Sequence, residues 1–356
     1  MSNRIDRFRE KLPQGVDCAI VTSNYGRHYF TGCRSDAGTL VVTRDKSYFI
    51  IDFRFIEDAK RTVTTAEVIL QDQLYSQILE ILGRHNVKTV GLETSYMTMG
   101  EFTRMQEKLP GIELLSGGET DKVIVDLRAH KDEQEFRAMK AAQDIADKTF
   151  THMLNYIEVG KTERELALEL QYHMLCLGAE KLSFDTICVS GVNTSLPHGV
   201  PTDKKIENGE FLTMDFGAMV DGYCSDMTRT VAIGHVTDEM ELVYSTVLKA
   251  QLASLAAIVP GTPNTQIDKV GRDIIYAAGY EGCFGHGTGH SVGLEIHEEP
   301  RYSISGSGVC EVGHVMTVEP GIYLEGRFGV RIEDMIYIGE NGIKNFASSP
   351  KDLIIL

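Results

Sequence analysis

Between Val16 and about Leu114, short apolar runs alternate with amphipathic stretches. The runs CAIVTS (18–23), TLVVT (39–43), SYFIID (47–52), EVIL (67–70) and KTVGLE (88–93) predict buried strands, and QLYSQILEILGRHN (73–86) predicts a helix between two of them. Together they describe a compact α/β domain. Ahead of it, MSNRIDRFREKL sets Ile5, Phe8 and Leu12 on one helical face among charges and lacks the apolar centre of a signal peptide. Glycines and charges in LLSGGETDK (114–122) predict a loop, after which a long helix begins. In that helix Asp132 and Glu135 have capping-box spacing, and Phe136, Met139, Ala142, Ala146 and Phe150 form one apolar stripe. The expected division is an α/β domain over 1–125 and a second domain over 126–356.

The second domain carries an internal repeat. TMDFGAMVDG (213–222) and TVEPGIYLEG (317–326) share the pattern T-x-acid-x-G-x-x-x-acid-G, 104 residues apart. Upstream, VGKTERELALELQYHMLCLGAE and VPGTPNTQIDKVGRDIIYAAGYE each give a glycine turn, a helix and a closing glycine, with Gly178 and Gly279 101 residues apart. Two matches in the same order at nearly the same displacement predict two related halves facing a shared site.

Each half presents paired acids. An apolar run delivers Asp215, a glycine turn follows, and a return strand delivers Asp226; the same layout in the other half delivers Glu319 and Glu333. A single one of these reads most simply as a strand-end acid paired with Arg229, Arg327 or Arg331. Four on repeated hairpins are different, because burying four carboxylates together is costly unless cations neutralise them. Two divalent ions bring the compensating charge. One imidazole among carboxylates points to Mn²⁺ or Co²⁺, with Zn²⁺ and Fe²⁺ as alternatives. HGTGHSVGLEIH supplies three candidates, His286, His290 and His297. His286 and His290 have zincin spacing, but Gly285, Gly287 and Gly289 argue against a helix there. The residues alone leave the three histidines unranked.

Composition narrows the function classes. At 356 residues, 42% hydrophobic and 24% charged, the chain suits a globular protein of two domains. A net charge of −16 argues against nucleic acid and anionic membranes as partners and is compatible with cationic metals. Seven scattered cysteines with no C-x-x-C pair suit reduced thiols in the cytoplasm, and no apolar run is long enough for a membrane span. Cys224 shares strand parity with Asp226 but reads best as a small buried residue.

The segments PHG (197–199), DFGAMVDGYCSDMTRT, HGTGHSVGLEIHEEP, TVEPGIY and GVRIED together resemble the metallopeptidase family of aminopeptidase P, prolidase and methionine aminopeptidase. YGRHYFTGCRSDAGTL is similar to the domain that precedes the catalytic one in aminopeptidase P and prolidase. The resemblance implies an α/β N-terminal domain followed by an α+β pita-bread catalytic domain, a pseudo-symmetric antiparallel sheet with flanking helices carrying two divalent ions. It implies metal ligands Asp215, Asp226, His290, Glu319 and Glu333, with Asp226 and Glu333 bridging. Glu319 is then the proton shuttle, and His297 meets the developing oxyanion. His198 orients substrate, His286 shapes the loop, and Arg331 fixes a site carboxylate.

The implied partners are short peptides with proline second, and the implied assembly is a homodimer or homotetramer. Cleavage at Xaa-Pro bonds is expected. The interval RYSISGSGVCEVGHVM is short and has only Arg301 as a cation, which favours an aminopeptidase over a dipeptidase (prolidase) as the alternative. Methionine aminopeptidase would not need residues 1–125. A non-catalytic or metal-free creatinase-like protein would lack ligands that this chain retains.

Overall fold

The computed structural model describes residues 3–356 and divides into two compact units, the first ending at Arg128 and the second beginning at Ala129. In the first, six strands form one mixed sheet in the spatial order Glu67–Leu70, Ser47–Ile51, Thr39–Thr43, Cys18–Val21, Thr89–Leu92 and Glu113–Leu115. The five apolar runs are all strands, and Leu74–Arg84 is the helix expected between two of them. Ile20, Val41, Ile50, Val90 and Leu92 pack with Ile78, Ile81 and Leu82 of that helix, where the 3.6-residue period brings apolar side chains to one face. The N-terminal helix Arg4–Lys11 buries Ile5 and Phe8 as its pattern requires. Two elements were hidden. The sixth strand is three residues long and only partly buried, and the helix Glu119–Ala129 starts inside the stretch whose charges suggested a loop.

The second unit is built twice over. Each half contains a long helix (Glu133–Tyr156 and Asp238–Ala257) and a shorter one (Glu163–Cys176 and Asn264–Ala277). Asp132 caps the first long helix through the capping box with Glu135, and Met139, Ala142, Ala146 and Phe150 are buried. Each shorter helix is flanked by glycines in the left-handed region. Gly160 and Gly178 have φ of 93° and 100°, and Gly261 and Gly279 have 91° and 92°. There a side chain would be strained, so the repeated glycines record a repeated backbone turn.

The sheets repeat as well. Glu210–Phe216 pairs antiparallel with Met227–Ile233 over seven residues, and Val315–Val318 pairs antiparallel with Asp334–Gly339. Between the strands of each pair a smaller hairpin protrudes, Ala218–Val220 with Tyr223–Cys224 and Gly321–Leu324 with Phe328–Arg331. The halves are stitched along a seam: Glu333 N–H donates to Thr228 O at 3.1 Å, and Thr230 Oγ1 donates to Arg331 O at 3.0 Å. Beside it, fully buried Arg229 pairs with Asp334 at 2.8 Å and caps the carbonyls of Ser349 and Pro350. Among the described residues no helix is long and apolar enough to cross a membrane.

Candidate active site

Both repeats deliver their acids at the same point, where a main strand meets its small hairpin. Asp215 lies within the strand Glu210–Phe216, and Asp226 immediately precedes Met227–Ile233. Glu319 immediately follows Val315–Val318, and Glu333 immediately precedes Asp334–Gly339. All four line one cavity of about 970 Å³ with His198, His286, His290, His297, Arg301 and Arg331. The cavity therefore gathers every residue singled out in the sequence for the site. Cys224 is not on its wall; it is buried against Leu294 O, and burial pushes its thiol up to about 12.

Close main-chain approach allows the convergence. A Cβ on Gly217 would lie 1.9 Å from Ser225 O, and one on Gly289 would lie 2.0 Å from Thr317 O. Only glycine lets these chains meet and aim Asp226 and His290 inward.

The loops bearing the histidines are anchored by acids of the two shorter helices. Glu163, fully buried, accepts hydrogen bonds from Ser190 N–H, Asn193 Nδ2, Thr202 N–H and Thr202 Oγ1, which fixes both flanks of the loop carrying His198. In the other half Asp268 accepts from Thr288 N–H and Oγ1 and pairs with Arg272, which itself donates to the carbonyls of Phe284 and His286. Sequence reasoning missed both anchors, because an acid near a helix start looks like an ordinary surface charge.

His286 is tied to the acids by a relay. Its Nδ1 lies 2.8 Å from Gly287 O, so Nδ1 carries the proton and Nε2 accepts from the Tyr323 hydroxyl at 2.8 Å. Tyr323 accepts from Arg331 Nη1 at 2.9 Å, and Arg331 Nη2 donates to Asp215 Oδ2 at 2.7 Å. Burial, then the Arg331 charge, pushes His286 down to about 4, so the ring is neutral as the relay requires. Tyr323 went unrecognised in the sequence, although it sits in the repeated TVEPGIY segment. Thr228 was missed too: it donates to Glu333 Oε2 at 2.7 Å and accepts from Arg331 Nε at 3.1 Å.

The electrostatics at the centre favour a bound cation. His290 Nδ1 donates to Ser291 O at 3.1 Å, which leaves the Nε2 lone pair facing Glu319 Oε1 at 3.3 Å and Asp226 Oδ2 at 3.6 Å. Burial, then His297, pushes His290 down to about 3, so the ring carries no charge of its own. A lone pair facing two carboxylates is repulsive unless a proton or a cation lies between them. Burial, then mutual repulsion, drives Asp226 and Glu333 well above the ordinary carboxylate range, and burial lifts Glu319 to about 8. Asp215 Oδ1 is buried with no hydrogen-bond partner. Five oxygen and nitrogen donors, one orphaned and the rest mutually repelling, fit divalent metal ions.

His297 is exposed on the cavity side, with its ring 4.5 Å from that of His290. His198 is likewise exposed on the wall. Arg301, whose side chain is 52% exposed, shares its guanidinium with Glu299 at 3.1 Å.

Both units match known protein families. Residues 137–340 match the model of metallopeptidase family M24, and residues 4–130 match the creatinase/prolidase N-terminal domain. A Xaa-Pro dipeptidase of Pyrococcus furiosus is 36% identical over 99% of this chain and 100% of its own. The solved structure of a Xaa-Pro dipeptidase from Bacillus anthracis superposes with a TM-score of 0.95 at 36% identity, covering 99% of both chains. That of an X-Pro aminopeptidase from Thermotoga maritima gives 0.91 at 33%, covering 98% of this chain and 99% of its own.

Proposed function

The chain belongs to metallopeptidase family M24, a family of divalent-metal hydrolases, and from that premise we propose that it is a Xaa-Pro dipeptidase. The more similar named relatives favour this alternative over the aminopeptidase expected from the sequence. The observation that carries it is the convergence of Asp215, Asp226, His290, Glu319 and Glu333 with Arg301 on one cavity. A short interval with a single arginine had argued against a cap for a free carboxylate. Arg301 lies on the cavity wall, and in this reading it receives that carboxylate.

In this reading Asp215, Asp226, His290, Glu319 and Glu333 hold two divalent ions, manganese being the first choice. Ions held there supply Lewis acidity, which polarises a carbonyl and lowers the pKa of water. The chain's own groups do the rest. Hydrolysis adds water across the C–N bond and must give the departing proline nitrogen a proton. Glu319, whose side chain is 17% exposed to the cavity, is placed to carry that proton. His297 donates to the carbonyl oxygen as charge develops on it, and His198 orients the substrate from the opposite half. Arg331 holds Asp215 with one arm of its guanidinium and Tyr323 with the other, so the carboxylate cannot turn away. A cytoplasmic location, supported by seven cysteines free of disulfides, and a homodimer or homotetramer complete the proposal.

The test is kcat/KM of the metal-loaded protein on matched Xaa-Pro and Xaa-Pro-Yaa substrates. The dipeptide should be preferred at least tenfold, the factor worth ~1.4 kcal/mol. Equal or better cleavage of the tripeptide would make the protein an aminopeptidase.

A further inference from the structure

A second set of donors lies outside the cavity. His130, Glu311 and His314 bring one potential ligand atom each to within 4.8 Å of one another, and none of the three lines the catalytic cavity. His130 Nε2 stands 3.2 Å from Glu311 Oε2, and the rings of His130 and His314 are 4.9 Å apart at 61°. Three donors around one tetrahedral ion at bond lengths of about 2.0–2.2 Å sit about 3.3 Å apart, so one pair is already at that spacing and the third donor lies within 4.8 Å of both.

The backbone builds this arrangement from segments far apart in the chain. Lys131 N–H donates to Gly313 O at 2.8 Å, Gly313 N–H donates to Ile338 O at 2.8 Å, and Ile338 N–H donates to His314 O at 2.9 Å. His314 N–H closes the turn on Glu311 O at 3.2 Å. Gly313 has φ of 99°, and a Cβ there would fall 3.4 Å from His130 Cα, so the turn is pressed directly against the histidine. The exposure is graded: His314 is buried at 4%, and the side chains of His130 and Glu311 are 35% and 54% exposed. To the surface pair of His130 and Glu311, His314 adds a buried imidazole that completes the set of three donors.

We propose that His130, Glu311 and His314 form a metal site separate from the catalytic centre, one that takes an imidazole-preferring ion such as Zn²⁺. Two imidazoles to one carboxylate is the reverse of the acid-rich catalytic set and favours later first-row ions over Mn²⁺. With three protein ligands, water completes the coordination. The ion clamps the turn at 311–314 to the residue that leads into the helix Glu133–Tyr156, and so stabilises the fold rather than taking part in hydrolysis.

Zinc titration of the metal-free full-length protein, with bound metal counted after equilibrium dialysis, tests this. At zinc concentrations that saturate the wild type, Glu311→Gln and the double variant His130→Gln/Glu311→Gln should each bind one ion fewer. The same difference should persist when His290→Ala is added to both members of the comparison, which separates this site from the catalytic ions. Zinc at 100 times its dissociation constant for the site should raise the folding equilibrium constant about 100-fold more in wild type than in the double variant. Because Glu311 is exposed, its replacement leaves the fold intact. Equal zinc counts in wild type and both variants would overturn the proposal.

Discussion

The two halves of the catalytic unit share a layout and divide the labour. The first contributes Asp215 from inside a seven-residue strand ladder, a position with little freedom. The second contributes Glu319 one residue past the end of its strand, with a longer side chain reaching the cavity. Only the second supplies an imidazole facing the acids, and only its Arg331 crosses the seam to hold an acid that lines the cavity, since Arg229 of the first half pairs instead with Asp334 away from it. The first half answers with Thr228, which reaches across to Glu333. Duplication thus accounts for the symmetric set of four acids. The departures from symmetry, His290, Arg331 and the reach of Glu319, turn a cluster of negative charge into a site with direction.

The largest effect should come from breaking the asymmetry at the substrate. His297→Ala should lower kcat by about 10²–10³-fold, the usual cost of losing a donor to a developing oxyanion, whereas His198→Ala in the other half should act mainly on KM. Steady-state kinetics of the two variants decide it; equal losses in kcat would erase the distinction between the halves.

Cutting the strap across the seam comes next. Arg331→Lys keeps the charge but cannot bridge Asp215, Tyr323 and Thr228 at once, and should weaken metal affinity or activity by about 10–100-fold. Metal titration of the variant against wild type measures it.

A smaller, symmetric effect is expected at the two glycines. Gly217→Ala and Gly289→Ala each force a Cβ into a main-chain oxygen and should destabilise the protein by about 1–3 kcal/mol, by similar amounts. Denaturant unfolding tests this. A marked difference would show that the two close approaches are not equivalent.

The smallest concerns His286, which the first half does not match. Its folded value of about 4 lies below the ordinary 6.5, so between those values the unfolded chain binds a proton that the folded one refuses. The stability of the metal-free protein should therefore fall as pH drops from 6.5 towards 4, and His286→Gln should make that fall shallower.

Much of this is legible in the sequence alone. The N-terminal strands announced themselves because each is a short apolar run bounded by polar or glycine residues, and the repeat was visible in paired glycines and acids. The sixth strand, Glu113–Leu115, was too short and too exposed to show a pattern, and the helix Glu119–Ala129 was masked by its charges. Four converging acids implied cations. Which histidine joins them came only from family resemblance, because the direction of a lone pair depends on a main-chain contact, Nδ1 of His290 to Ser291 O, that spacing does not encode. Glu163, Asp268 and Tyr323 were invisible for a related reason: the loop partners that give them their roles, Thr202, Thr288 and His286, lie 39, 20 and 37 residues away.

In the proposed mechanism the His290 lone pair faces carboxylates because a metal ion belongs between them, whereas His297 serves the substrate. Metal content per chain of His290→Ala and His297→Ala, measured beside wild type after identical loading and dialysis, tests it most directly. His290→Ala should hold fewer ions, and an inactive His297→Ala should hold the wild-type number. Equal loss of metal from both, or none from His290→Ala, would contradict it.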